Sequence, residues 1–265
     1  MAQSQVGKIY VGANQMFPGV QLPLGPQIPT SGLIGWFDAD DYTSGATWAD
    51  KSVNGLNLTL GGTYSKTAAI PSATGPAVFF NTGFGVSAAT SLIAGSTGTS
   101  YTHIEIIRPS SVGNFVGSYT FSANNPGDDF GSLSGFQIIG TGIVTLHLNN
   151  QPGVVQDQSY FYATNKTSFI ARRFSNGSSA AAVLFNVADS AGTTLTQQTG
   201  TGINSFTSLN YTFGVAGKMV IGASTNGGGY RMPGYYGVNL FYNRILTDQE
   251  VQDIYNYYKS TYSLS

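Results

Sequence analysis

Apolar residues along this chain recur in short runs. From Gly32 onward, segments rich in Val, Ile, Phe, Tyr and Thr alternate with clusters of Gly, Asn, Ser and Pro, as a multi-stranded antiparallel β-protein requires. The clearest segments are LIGWFDA, NLTL, AVFFN, THIEIIRP, GFQIIG, IVTLHLN, TSFIARRF, AAVLFNVA, KMVIGAS and VNLFYNR. In IVTLHLN, Val144, Leu146 and Leu148 share one face while Thr145, His147 and Asn149 share the other, the period of two that marks a half-buried strand. Ten or more such strands fit a single large all-β domain of two packed sheets.

One segment has a different period. Val251, Ile254, Tyr255 and Tyr258 follow helical spacing, with Gln249, Gln252, Asp253 and Asn256 largely off that stripe, so the spacing predicts a short amphipathic helix over about 248–260. Thr247 and Glu250 form a capping box, Asp248 adds favourable charge to the first turn, and Lys259 lies at the end where the dipole favours a cation. A helix of about 12 residues is marginal alone, so its stripe must pack against the sandwich.

The amino-terminal residues read otherwise. A short strand-like run, Lys8, Ile9, Tyr10 and Val11, precedes Pro18, Pro23, Pro26 and Pro29. Proline fixes φ and removes a backbone donor, so VQLPLGPQIPT is expected to run extended over a surface. Residues 1–30 therefore read as an extended arm and linker for attachment, and 31–265 as the sandwich with its helix. The alternative is a terminus that folds back on its own domain.

Composition narrows the function classes. Only 9% of the 265 residues are charged, against roughly 25% in an average soluble protein, while Gly supplies 35 positions. The surface must be built from Ser, Thr, Asn, Gln and Gly. A net charge of -1, with no basic cluster beyond Arg172 and Arg173, gives no field for nucleic acid or an anionic membrane. The absence of Cys removes disulfides and thiolate metal sites, and MAQSQVGKIYVGANQ lacks the basic region and apolar core of a signal peptide.

Few residues suggest chemistry. Glycoside hydrolysis needs two carboxylates flanking one bond, and in THIEIIRP His103 and Glu105 share a face without a second carboxylate following. That pair reads as a surface or satisfied pair, and the chain as non-enzymatic, with no catalytic residues. In TNGGGYRMPGYYG, Tyr230, Arg231, Tyr235 and Tyr236 place three phenols and a guanidinium within seven residues, a set suited to stacking on sugar rings or filling a protein interface. These four are the candidate ligand-binding residues. The competing reading is that Tyr235 and Tyr236 simply begin the last strand. Trp36 and Trp48 read as core.

The run YYGVNLFYNRILTDQEVQDIYNYYKSTY resembles the carboxy-terminal signature of LamG-like, concanavalin A-like jelly-roll domains, in which a last strand ending Tyr-Asn-Arg meets a Leu-Ser/Thr turn and a short acidic helix. The matching positions are Tyr242, Asn243, Arg244, Leu246, Thr247 and Glu250. GLIGWFDADD with TWADKSVNGLNLTL resembles the opening strand and the Asp-x-Ser-x-Asn-Gly turn of the same domains. The likeness covers roughly residues 32–262, and it departs at Val238 and Asn239, where many relatives carry an acidic residue. It implies a two-sheet antiparallel jelly roll with one C-terminal helix. Its calcium-binding members also raise Ca²⁺ at Asp40 or Asp41, beside Asp38; read from the residues alone these are turn aspartates without EF-hand spacing, and no cofactor is expected.

A weakly charged jelly roll without cysteine, signal peptide or catalytic pair, carrying a proline-spaced arm, resembles virion structural proteins, and GKIYVGANQMFPG is similar to the leading strand of some phage structural proteins. The resemblance implies a multi-copy component of a phage exterior, decorating the capsid or belonging to a tail or fibre. It would be assembled in the host cytoplasm and attached to other virion proteins through the arm. The alternative is an extracellular, carbohydrate-binding lectin-like module, and the two combine if the displayed domain grips host surface polysaccharide; a glycoside hydrolase, the enzymatic branch of the fold, comes last.

Overall fold

The computed structural model describes residues 27–71, 73–88, 90–93, 100–110, 167–175, 217–223 and 231–264 with Gly25, and the backbone alone of strands between 115 and 156 and between 183 and 198. In chain order the first strands are β1 (Leu33–Asp38), β2 (Thr47–Trp48), β3 (Leu58–Gly61), β4 (Tyr64–Thr67), β5 (Ala77–Phe80), β6 (Phe84–Ser87), β7 (Ser100–Pro109) and β8 (Phe115–Ser122). They are followed by β9 (Ser132–Ile139), β10 (Ile143–His147), β11 (Val155–Gln156), β12 (Ser168–Ser175), β13 (Val183–Ala188), β14 (Thr196–Gln198), β15 (Gly217–Ile221) and β16 (Gly234–Tyr242). Among the described residues a single α-helix, α1 (Asp248–Tyr258), follows the last strand.

The strands form two antiparallel sheets of eight, and the chain crosses repeatedly between them. One sheet runs β14-β13-β12-β7-β16-β5-β4, and the other β11-β10-β9-β8-β15-β6-β3-β2. In the first sheet β16 is the axis. Its start, Gly234 to Tyr236, pairs with β5, its end, Val238 to Tyr242, pairs with β1, and β7 lines its other side throughout. This is a two-sheet antiparallel jelly-roll sandwich, and each of the ten runs expected as a strand contributes one. The short strands β2, β4, β11 and β14 form the sheet edges, and β6 and the longer β8 fill interior places; none of these six is among the ten expected runs.

Side-chain alternation divides the first sheet's apolar residues between two layers. Phe37, Val78, Phe80, Ile107, Tyr236 and Phe241 point inward, against Trp48, Leu58, Leu60, Met219 and Ile221 of the opposite sheet. Ile104, Ile106, Phe169, Ala171, Val238 and Leu240 point outward, where α1 covers them with Val251, Ile254, Tyr255 and Tyr258. The stripe read from helical spacing is therefore the buried one. After the helix the chain continues over the same face: Tyr262 lies on Gly237 and Gly75, where a Cβ would come within 2.5 and 2.4 Å of its ring, so both positions require glycine.

Polar groups hold the helix in place. The Thr247 side chain accepts from the Glu250 N–H while the Glu250 carboxylate accepts from the Thr247 N–H, completing the capping box. Arg244 donates from both terminal nitrogens to Glu250, Nη1 at 2.9 Å, and from Nε to the carbonyl of Ser31 at 2.7 Å. The Arg244 hydrogen bonds hold the Glu250 carboxyl down at about 2. From β12, buried Arg173 donates to the Leu246 carbonyl at 2.9 Å and pairs with Asp248 at 2.6 Å. Lys259 is the C-cap, one residue beyond the last helical turn.

The Asp-x-Ser-x-Asn-Gly turn is a clamp on β1. The Asp50 carboxylate accepts hydrogen bonds from the N–H groups of Trp36, Ser52 and Leu56 and from the Ser52 hydroxyl, at 2.7–2.9 Å. Asn54 Nδ2 donates to the carbonyls of Leu33 and Ile34 at 2.8 and 2.9 Å. Such local side-chain bonding gives a loop of this kind one conformation.

Of the amino-terminal residues, Gln27 to Thr30 are described, and Ile28 packs into the outer apolar layer beside the helix. Pro29 is half-buried next to it. Lys8, Ile9, Tyr10, Val11, Pro18, Pro23 and Pro26 lie outside the described residues.

Candidate functional site

The strand alternation that builds the two layers also separates the phenols of GYYG. Tyr236 turns inward, fully buried, with its ring 4.9 Å from that of Phe80 and its hydroxyl donating to the Met232 carbonyl at 3.0 Å. It presents no surface to a ligand. Tyr235 turns outward and remains half-buried, its ring centroid 4.7 Å from that of Phe79 at a tilt of 40°.

The ring pair belongs to a transverse row. Ser65 of β4 pairs with Phe79 of β5, Phe79 with Tyr235 of β16, and Tyr235 with Arg108 of β7. Directly opposed residues in antiparallel strands share a face. Ser168 pairs with Ile107, so Thr167, one residue earlier, comes beside Arg108. The row lies past the end of the outer apolar layer, one strand register beyond Ile106 and Gly237. Its residues grade from exposed Ser65 through half-buried Phe79 and Tyr235 to Arg108 and Thr167, 8% and 0% exposed.

Arg231 does not join this row. Its Nη1 donates to the Thr82 carbonyl at 3.2 Å and its guanidinium lies 5.3 Å over the Phe84 ring, so it faces the connection between β5 and β6. Tyr230 is outside the described residues. The structure thus brings Tyr235 together with Phe79, Arg108 and Thr167, and not with Arg231 or Tyr236. Sequence reasoning missed Arg108. The available signal was the outward stripe of THIEIIRP, in which Ile104 and Ile106 are followed on the same face by a guanidinium.

A second aromatic surface sits beside α1. Tyr257 is 43% exposed, and Trp36 is half-buried on the outer face, its Nε1 donating to the Tyr258 hydroxyl at 2.9 Å. The Lys51 ammonium lies 4.8 Å over the Trp36 ring and pairs with Asp41 at 2.7 Å, so it covers one face of that ring. The Tyr258 hydroxyl in turn donates to Asp38 at 3.0 Å. Burial raises the Asp38 carboxyl above its usual range and pushes the Tyr258 hydroxyl far up, the carboxylate beside it adding to that rise.

The acidic cluster expected near β1 is dispersed. Asp38 is buried under Tyr258, Asp40 is exposed, and Asp41 is committed to Lys51. Among the described residues, no three His, Cys, Asp or Glu side chains converge as metal ligands. His103 and Glu105, expected as a surface or satisfied pair, are both inside the sandwich: Glu105 is fully buried opposite Asn239, and the His103 ring stacks on Phe241 at 4.1 Å with Nε2 3.4 Å from the Asn239 oxygen. Their face of β7 looks across to the second sheet rather than to solvent. Trp48 is core, its Nε1 donating to the Asp38 carbonyl.

No protein-family model and no curated protein matches the chain. Solved structures do. Domain 4 of AbnA, a GH43 extracellular arabinanase from Geobacillus stearothermophilus, in complex with arabinotriose, superposes with a TM-score of 0.53 at 15% identity, over 85% of this chain and 99% of that one. Trypanosoma rangeli sialidase gives 0.60 at 14% identity over 92% of this chain, which spans only 35% of the sialidase. The binding domain of botulinum neurotoxin DC, in complex with rat synaptotagmin II, gives 0.53 at 13% identity over 85% of this chain and 51% of that one. At such identities these likenesses establish a shared β-sandwich fold.

Proposed function

We propose that this chain is a non-enzymatic adhesive module that grips polysaccharide on the half-exposed ring pair of Tyr235 and Phe79. One observation carries the reading: among the described residues, α1 and Tyr262 cover the outer apolar layer of the helix-side sheet, while these two rings, in contact with each other, stay half-open at its end. Aromatic faces flanked by hydroxyl and guanidinium donors suit a saccharide, whose axial C–H groups stack while its hydroxyls hydrogen-bond. The solved complexes with arabinotriose and with a protein receptor indicate that folds of this kind serve as recognition modules, which supports the reading by analogy of fold.

The test is glycan-array binding by the full chain. Wild type is expected to bind a subset of glycans without turning them over. Tyr235→Ala is expected to weaken that binding about tenfold or more, the loss that a truncated aromatic anchor typically brings, while Tyr235→Phe retains it. Unchanged binding by Tyr235→Ala, with its thermal melt intact, would remove the site.

The module's setting is the exterior of a phage particle, as a LamG-like capsid decoration or tail component present in many copies. The weakly charged composition and the proline-spaced residues ahead of Gln27 support this reading. Because Ile28 belongs to the outer apolar layer, the arm available for attachment ends before it. Deleting residues 2–24 is therefore expected to spare folding and abolish incorporation into particles, and full incorporation of the deleted chain would sink the attachment role.

A further inference from the structure

The row beside Tyr235 ends on a charge that has no counter-ion among the described residues. Arg108 is 8% exposed, its Nη1 is fully buried, and among the described residues that atom has no hydrogen-bond partner. Arg108 also enters no ion pair among the described residues. Thr167, its neighbour across the strand pair, is wholly buried with its Oγ1 equally unsatisfied. Buried polar groups are almost always hydrogen-bonded, and a buried cation without a counter-ion opposes folding, so two adjacent exceptions call for a missing partner.

We infer that this partner is the anionic group of the ligand, so that the saccharide bound here is acidic. The inference rests on the glycan-binding reading of Tyr235 and Phe79 given above, and adds the ligand's chemical class. The guanidinium presents donors in a planar fork that matches a carboxylate or sulfate through paired hydrogen bonds, and a buried setting strengthens such bonds. Directly opposed residues of adjacent strands lie about 5 Å apart, a span that one sugar residue and its acid group bridge. Tyr235 and Phe79 are the half-open members of the row, so the approach from solvent runs over them. A sugar ring stacked on Tyr235 places its acid group toward Arg108, and the Thr167 hydroxyl is a further donor at the same end. This arrangement retains a charge that costs stability for the sake of recognition.

The experiment compares matched glycans on an array and by titration with the full chain: uronate- and sialate-bearing glycans against their carboxyl-reduced forms, and sulfated glycans against their desulfated forms. The charged member of at least one pair is expected to bind ten times or more tightly, less so as salt is raised, and the pair that responds identifies the group. Arg108→Gln is expected to abolish the preference, keep the residual binding that depends on Tyr235, and melt no lower than wild type because it removes an unpaired buried charge. A purely structural arginine would instead lower the melting temperature and leave the preference in place. Equal binding of charged and uncharged partners, or an undiminished preference in Arg108→Gln, overturns the acidic ligand while leaving glycan recognition standing. Binding to no glycan of either kind overturns both.

Discussion

A chain ending at Leu246 is expected to be insoluble, or to survive only as an expanded species that binds ANS. Removing residues 247–265 strips Val251, Ile254, Tyr255, Tyr258, Tyr262 and Leu264 from the outer face of the helix-side sheet and leaves Ile104, Ile106, Phe169, Val238 and Leu240 open to water. Each such side chain contributes about 1.5–3 kcal/mol when buried, so their sum reaches the 5–15 kcal/mol that is the whole net stability of a typical domain. Arg173 would also lose its pairing with Asp248 at the margin of that surface. The soluble fraction after expression and ANS fluorescence measure the effect. A truncated chain that stays soluble and melts cooperatively near the wild-type temperature would show that α1 is an accessory rather than a third layer.

Asp50→Ala is expected to be the most damaging single substitution outside the apolar core. One carboxylate there satisfies three backbone N–H groups and a hydroxyl, fixing the 50–56 turn against β1 through Trp36. Hydrogen bonds to charged acceptors contribute about 1.5–3 kcal/mol each, and the freed donors regain water only in part. A net loss of about 3 kcal/mol follows, which for a chain of this size lowers the melting temperature by roughly 6–12 °C. Asp50→Asn, able to accept through one oxygen only, should fall between the two. Thermal unfolding followed by far-UV circular dichroism reads the series, and an Asp50→Ala melt indistinguishable from wild type would show that the turn is held by other contacts.

Local chemistry was legible in the sequence to different depths. The helix, its cap and its buried stripe could be read directly because they depend on residues within four positions of one another, as Thr247 with Glu250 and Val251 with Tyr255. The ten principal strands were equally readable, since a period of two needs no knowledge of partners. Pairing was not. That β16 lies between β7 and both β5 and β1 is decided by which faces bury one another, across separations of more than a hundred residues. For that reason Arg108 and Tyr235, 127 positions apart in sequence and adjacent in space, gave no linear sign of a shared site. The separation of Tyr235 from Tyr236 could have been anticipated, because adjacent strand residues point to opposite faces and only one can meet a ligand. The burial of His103 and Glu105 could not, since polar residues at alternating positions ordinarily mark the solvent face of a strand, whereas here they share with Tyr101 and Ile107 the face that looks into the sandwich.

The binding claim is tested most directly by NMR mapping of the site. With the full chain and a glycan identified on the array, aromatic resonances of Tyr235 and Phe79 are expected to shift on titration and to transfer saturation to the sugar, while those of Trp36 and Tyr257 remain in place. Perturbation confined to Trp36 and Tyr257, or saturation transfer that persists unchanged in Tyr235→Ala, would contradict the assignment of the site to the open end of the helix-side sheet.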